Sequence, residues 1–428
     1  MGALVKVACV GGGPASLYFS ILMKRVDPSH EITVYERNPA GSTYGWGVTY
    51  SNELFGYLQG ADPESARAIR ENSARWDTWM VHVQDRMTAT VEHGDNGYGI
   101  GRHRLLDILT ERARSLGVRV EFEHEIAGPE ELAGADVVVA GDGVNSVLRE
   151  RHADHFGSEV AVGRNVYVWL GTTKVFDSFV FSFVATEHGW IWCYGYKYSD
   201  DHSTCVVECS PETWKGLGFD RASETDCLAL LEKLFAEILD RHPLIGRANA
   251  DGSAHWLNFR TLTNRTWYHD DLVLLGDAAH TTHYSIGAGT ALALADAAFL
   301  VNALHGDTRL QRAFARYERE RLAVIRSAQR AAGNSAQWFE NLPRYIDRPP
   351  EQMVALLDQR HSSLLPRISP ALYYRIDQVS EGLEPLRRVT RWMASKVTRT
   401  PHAGAAGCDD HAAPPPQAGT GAGSPPSP

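Results

Sequence analysis

VKVACVGGGPASLYFSIL, residues 5–22, joins a short β-branched apolar run, Val5 to Val10, to three consecutive glycines and then to Leu17, Phe19, Ile21 and Leu22, spaced as in a packed helix. Strand, glycine turn and helix follow in that order. EITVYE, residues 31–36, is a second short strand ending on an acid, so the first 36 residues predict a βαβ unit. Working outward, residues 63–79 and 104–116 read as helical, and residues 118–122 and 136–140 as strands. Between about residues 160 and 209 the texture changes to aromatic and β-branched runs at hairpin spacing, which predicts an inserted antiparallel sheet. Residues 272–275 return to a buried strand, and a long helical pattern follows Gly289 through Arg330. The expected fold class is α/β. It has a Rossmann-like domain (1–160 and 266–330), an inserted antiparallel β-sheet domain (161–265), a proline-broken C-terminal helical region (331–400) and a disordered Ala/Gly/Pro/Ser-rich tail (401–428).

Composition narrows the function. The 428 residues are 43% hydrophobic and 22% charged, ordinary for a globular chain, and the net charge of −10 disfavours bulk binding to nucleic acid or anionic membrane. Six cysteines form neither a CxxC pair nor a Cys/His cluster, so no structural metal or disulfide framework is expected. The N-terminus lacks the three regions of a signal peptide, and Asp296 interrupts the short apolar stretch 291–304. The expectation is a soluble cytoplasmic protein with no membrane span, monomeric or homodimeric.

Gly11-x-Gly13-x-x-Ser16 carries the first two glycines of the dinucleotide fingerprint. Gly11 serves the tight turn and Gly13 the close approach of backbone to a pyrophosphate at the helix N-terminus; Pro14, Ala15 and the small Ser16 follow. Glu36 stands where an acid can accept from ribose hydroxyls, with Arg37 beside it. Two further segments repeat the theme of a buried strand ending on an acid: Ala140-Gly-Asp142-Gly143 before a Ser146/Arg149 helix, and Leu272-Val-Leu-Leu-Gly276-Asp277-Ala-Ala-His280 before Gly287-Ala288-Gly289.

Together these segments resemble the three signatures of the single-component flavoprotein aromatic hydroxylases of the para-hydroxybenzoate hydroxylase type, over about residues 5–395. The resemblance implies FAD as cofactor and NADH or NADPH as co-substrate. It implies a cycle in which reduced FAD adds dioxygen to form a flavin hydroperoxide whose distal oxygen attacks an electron-rich ring carbon. It assigns Asp142 and Asp277 to cofactor binding, the Gly287 to Gly289 loop to the flavin's N1 and O2 side, and Arg102, ahead of Leu105, Leu106 and Leu109, to cofactor contact. The loop carries His283-Tyr284 where the family commonly has two prolines. That version, with Gln329 and Gln337-Trp-Phe-Glu-Asn341, is similar to the branch that hydroxylates salicyloyl-CoA, 2-aminobenzoyl-CoA and violacein-type indoles.

The substrate expected from this is an activated arene, first an aryl-CoA thioester. The alternatives are a free or carrier-bound indole or phenol, or a flavin-binding protein without catalysis. His283 is the titratable group expected nearest the substrate, either taking a ring proton or orienting the ring, with a purely structural place in the loop equally open. Gly45-Trp46-Gly47-Val48 falls where the family has a flexible segment beside the flavin, or is a surface turn. Trp190, Trp192, Tyr194 and Tyr196 alternate along one strand, either as sheet core or as a substrate face.

Overall fold

The computed structural model describes residues 5–42 and 45–381. Residues 382–428, with the expected disordered tail and Cys408, lie outside the described residues. One sheet has six strands in the order Tyr268–His269, Leu272–Leu274, Val137–Ala140, Lys6–Val10, Glu31–Tyr35, Arg119–Glu121. All neighbours in it run parallel except the antiparallel edge strand Tyr268–His269. The central strands are apolar because helices cover both faces: Val7, Val34, Val139 and Val273 are buried in one core with Leu17, Phe19 and Ile21 of the helix Pro14–Val26 and with Leu294 and Leu300 of Gly289–Gly306. From Lys6–Val10 the chain first adds strands on one side and then returns to the other. A crevice therefore opens at the carboxyl ends of the strands where the order reverses.

The second sheet has nine strands. Its central strands pair antiparallel: Phe179–Thr186 with Gly189–Lys197 and Gly189–Lys197 with Ser203–Cys209 as hairpins, and Ser203–Cys209 with Glu159–Thr172 across the two strands between them. The sheet extends beyond the expected 161–265. Gly47–Ser51, Ala74–Val83 and Met87–Gly101 join it, the second through a parallel pairing in which Trp79 lies opposite Phe179. This corrects the helical reading of residues 63–79. The helix Pro63–Glu71 stops at Asn72, and the aromatic and β-branched residues after it pair as a strand, on one edge with the hairpin strand Met87–Gly101 and on the other with Phe179–Thr186 some hundred residues away.

The two faces of this sheet bury different layers. Val166, Val168, Leu170, Ile191, Cys193, Cys205 and Val207 pack with Cys227 and Leu231 of the helix Glu224–Leu234. The opposite face, with Trp192, Tyr194, Val206, Phe181 and Phe183, packs on Trp338, Phe339, Met353 and Leu356 from the C-terminal helices Leu310–Glu340 and Pro350–Asp358. The alternating aromatics of Gly189–Lys197 thus form a core layer under those helices. Among the described residues no helix is long and apolar enough to cross a membrane, and the five described cysteines are buried and free.

Candidate active site

Gly11 ends the first strand with φ of +95°, and a Cβ there would sit 2.6 Å from Asp142 Cα and from the Gly141 carbonyl, so only glycine fits. Its N–H donates to the Tyr35 carbonyl at 2.8 Å, and the Gly12 N–H donates to Glu36 Oε2 at 2.7 Å, which ties the turn to the end of the second strand. Asn38, which the sequence reading missed, donates its backbone and side-chain N–H groups to Glu36 Oε1 at 2.9 and 2.6 Å. Gly12, Gly13, Glu36, Asn38 and Arg102 line one cleft of about 230 Å³. The helix entering it begins at Pro14, with no side-chain cap at Gly13 and no acid in its first turn, which leaves its positive end available to an anion. Ala15 and Ser16 face inward: a side chain at Gly141 would meet Ser16 Oγ, and Ser16 is wholly buried. Ser16 therefore serves helix-on-strand packing, as its size predicts. Arg37 is exposed and stands outside the residues that line the cleft.

Two acids end the neighbouring strands. Asp142 Oδ2 accepts from the Val147 N–H at 2.9 Å, whereas its Oδ1 is buried without a partner, and burial raises its carboxyl above the usual range. Asp277 follows Gly276 deep inside the protein, yet its side chain is exposed to the crevice. Its enclosure pushes the carboxyl pKa up against the pull of His280 and Arg102. Arg102 opens the helix Arg102–Ser115, its Nε buried without a hydrogen-bond partner, and burial works against its charge while Asp277 favours it.

After Asp277 the chain forms a loop that the fold holds at several points. His280 Nε2 lies 2.8 Å from Asp296 Oδ2, and Arg321 Nε donates to Asp296 Oδ1 at 2.6 Å, a buried triad in which burial raises the Asp296 pKa but Arg321 and His280 more than offset it. Gln329 Nε2 donates to the carbonyls of Leu262 and Thr281, both at 2.9 Å. Gly287, Ala288 and Gly289 then lead into the helix Gly289–Gly306, which has no side-chain cap and no acid in its first turn, and no atom lies within 4 Å of where a Gly289 Cβ would be. Trp46 packs on the strand Glu159–Thr172 of the second sheet: its Nε1–H donates to the Trp169 carbonyl at 3.2 Å and its ring covers Gly171.

His283 is buried, and desolvation alone lowers its pKa from 6.5 to about 4, so the imidazole is neutral near pH 7. The Ser285 N–H points at its Nδ1, 3.3 Å away, and Ser285 Oγ lies 2.9 Å from the same atom. An Nδ1 that accepts puts the ring proton on Nε2. His283 therefore presents an N–H donor, where the sequence reading left room for a proton acceptor. Its ring lies between Phe259 and Tyr284, with centroids at 4.8 and 4.3 Å.

Beside it is a cluster that the motifs did not reveal. Glu208, in the fully buried strand Ser203–Cys209, accepts from Tyr284 Oη at 2.5 Å, Tyr194 Oη at 3.0 Å and Asn165 Nδ2 at 2.8 Å. Burial raises its carboxyl pKa, and these donors oppose the rise. Its one sequence signal is a lone acid inside the apolar run Cys205-Val-Val-Glu208-Cys209. Arg360, just past the helix Pro350–Asp358, donates to the Ser285 carbonyl at 3.0 Å and lies over the rings of Trp79 and Phe181. Arg260 donates to Asn145 Oδ1 and Arg265 to the carbonyls of Asp154 and His155.

These residues fit FAD. Two uncapped helix N-termini suit its pyrophosphate and the electron-rich edge of its ring, Glu36 suits a ribose, and the orphaned Arg102 Nε and Asp142 Oδ1 with the crevice-facing Asp277 are polar groups that a polar ligand would satisfy.

The family described as FAD binding domain matches residues 4–332. The chain is 36% identical over 358 residues to salicyloyl-CoA 5-hydroxylase of Streptomyces sp, an alignment covering 80% of this chain and 66% of that enzyme, so the chain spans about two-thirds of the relative's length. It is 35% identical over 350 residues to the 3-hydroxy-4-methyl-anthranilyl-[aryl-carrier protein] 5-monooxygenase of Streptosporangium sibiricum, covering 82% of this chain and 92% of that one. Protodeoxyviolaceinate monooxygenase of Chromobacterium violaceum is 30% identical over 368 residues, covering 85% and 96%. Among solved structures, 2-methyl-3-hydroxypyridine-5-carboxylic acid oxygenase shares the fold with a TM-score of 0.66 at 18% identity, over 86% of this chain and 98% of that one. PqsL of P. aeruginosa, solved with 2-aminobenzoylacetate, does so at 0.63 and 19%, over 79% and 97%. With the family match taking in well over half of the chain, and with the strand ends, helix starts and buried acids arranged as described, the chain belongs to the FAD binding domain family, as a flavoprotein aromatic hydroxylase with FAD as its cofactor.

Proposed function

We propose that this chain hydroxylates the ring of an aromatic acyl thioester that bears a hydroxyl or amino group, with NADH or NADPH as the reductant. The observation that carries this reading is the loop at 283–286, where a neutral imidazole N–H donor and two phenols stand at the seam between the flavin-binding strand ends and the aromatic face of the second sheet. Two relatives at 35% identity or above act, by name, on a salicyloyl thioester of CoA and on an anthranilyl group on an aryl-carrier protein, which supports the thioester class.

When bound, FAD supplies the two-electron reduction by NAD(P)H and the activation of dioxygen. The chain's own residues do the rest. Gly12, Gly13 and Glu36 with the Pro14–Val26 helix hold the dinucleotide end, and Arg102, Asp142, Asp277 and the Gly287–Gly289 amides hold the flavin end. The His283 Nε2–H donates to the oxygen of a ring hydroxyl and so orients the ring, while that hydroxyl keeps its own proton. The C-terminal helices packed on the aromatic face exclude water from the reacting atoms.

The test is to purify the protein, record its visible spectrum, and follow NADH and NADPH oxidation with salicyloyl-CoA, 2-aminobenzoyl-CoA, the two free acids, a carrier-bound anthranilyl group and an indole. Oxidation stimulated by a thioester but not by its free acid, with a product heavier by one oxygen, is expected. Turnover of only a free indole or phenol would move the substrate to the second class, favoured by the violacein-pathway relative. Silence toward every compound would overturn the proposal.

A further inference from the structure

Glu208 is a buried carboxyl that the mechanism above does not use. Among the described residues no Lys, Arg or His nitrogen lies within ion-pair distance of it, and its neighbours Asn165, Tyr194 and Tyr284 all donate to it. A carboxyl so placed costs several kcal/mol to desolvate unless its bonds compensate, and packing alone would be served as well by an apolar side chain. Two of its three donors belong to the second sheet or its edge; the third, Tyr284, belongs to the loop that follows Asp277. The Glu208–Tyr284 bond is therefore a link between the sheet that carries the aromatic face and the loop that carries His283. Tyr284 stacks directly on the His283 ring, and the Tyr167 ring packs against Tyr284 with centroids 4.6 Å apart. Arg360 holds the next residue by a different route, through the Ser285 carbonyl, which leaves the Tyr284 side chain to Glu208.

We propose that Glu208 is a positioning residue: by holding the Tyr284 hydroxyl it fixes the 283–286 loop and aims the His283 Nε2–H at the substrate ring. The proposal rests on the reading of that loop as the substrate-facing element. Glu208 and Tyr284 then act as one unit. Removing either one frees the His283 ring to move while leaving the dinucleotide end of the site untouched.

The test compares FAD-loaded wild type with Glu208→Met, Tyr284→Phe, their double variant and the conservative Glu208→Gln, which keeps a carbonyl oxygen for the phenol. The first readout needs no turnover: amide hydrogen exchange in the segment spanning residues 280–290. Loss of a buried side-chain hydrogen bond should speed exchange there by about tenfold in Glu208→Met and Tyr284→Phe, with strand 6–10 unchanged. The second readout is the fraction of oxidised NAD(P)H that appears as hydroxylated product, on whichever substrate wild type accepts. That fraction should fall severalfold in both single variants with KM little changed, the double variant should be no worse than either single, and Glu208→Gln should recover most of it. Exchange at 280–290 equal to wild type in both single variants would overturn the proposal, as would unchanged coupling or additive losses in the double variant. Wild-type silence toward all substrates would strike the proposed function alone, and the exchange comparison would still decide this one.

Discussion

His283→Gln should remove a specific part of the protein's dependence on pH. In the native protein burial lowers the imidazole pKa from 6.5 to about 4. Between those values the unfolded chain binds a proton at this position and the native chain does not. Stability is therefore undiminished by this group above pH 6.5 and declines as pH falls toward 4, where the native imidazole begins to titrate as well. At about 1.4 kcal/mol per pH unit the interval amounts to about 3 kcal/mol of lost stability near the acid end. Glutamine retains a carbonyl that can accept from the Ser285 N–H and does not titrate. The assay is urea unfolding of wild type and variant from about pH 8 to about pH 4, read as the difference between the two. Carboxyls such as Asp62 and Asp296, whose pKa values the fold lowers, destabilise both proteins equally on acidification and cancel in that difference. The difference should be constant above pH 6.5 and shift in favour of the variant by about 3 kcal/mol on approaching pH 4. Parallel curves throughout would show that the native imidazole titrates like the unfolded one. A buried, neutral Nε2–H donor would then be excluded.

Asp296→Asn leaves Arg321 and His280 without their shared buried carboxylate, and breaking a buried ion pair from one side costs about 3–5 kcal/mol; denaturant unfolding at neutral pH should show a loss of that size, and a loss below about 1 kcal/mol would mean the triad is solvated. Gly11→Ala forces a Cβ to within 2.6 Å of Asp142 Cα and the Gly141 carbonyl at a φ of +95°. The glycine turn must then move, and FAD retained on gel filtration should weaken by about tenfold or more; wild-type flavin content would refute the placement of the pyrophosphate at this turn.

The parallel sheet was legible because its signals are local. Strands 6–10, 137–140 and 272–274 are near-continuous apolar runs and 31–35 an alternating one, each followed closely by a glycine or an acid at its carboxyl end, and the fold collects those ends into one crevice. What escaped is partly non-local. Ala74–Val83 follows directly on a helix and forms a local hairpin with Met87–Gly101, but its other edge pairs with Phe179–Thr186, a partner that no window of sequence around residue 79 contains. Glu208 is similar: its strand alternates as any strand does, and only the fold brings Tyr284 from 76 positions away to its carboxyl. The tautomer of His283 was out of reach for a different reason, since it follows from the direction of one backbone N–H two residues later, which depends on the turn the loop makes.

That loop also bears on what a proline pair at the positions of His283 and Tyr284 would have done. Proline restricts the unfolded chain, so each replacement forgoes about 0.4–1 kcal/mol of conformational pre-organisation, roughly 1–2 kcal/mol for the pair. The loop here is stiffened instead through side chains: Ser285 onto His283, Tyr284 onto Glu208, Arg360 onto the Ser285 carbonyl, Gln329 onto the Thr281 carbonyl. One neutral bond contributes about 0.5–1.5 kcal/mol and one to a charged group about 1.5–3, so the four together outweigh what the prolines would have contributed. The exchange has a chemical consequence as well. A proline at these positions has neither a side-chain donor nor a backbone N–H, whereas His283 and Tyr284 place an imidazole and a phenol in the same turn and make its rigidity conditional on Glu208, a residue of the other sheet. Substitutions that tune the substrate should therefore be found in Ser203–Cys209 and its neighbours as readily as in the loop, because the loop's geometry is held from there.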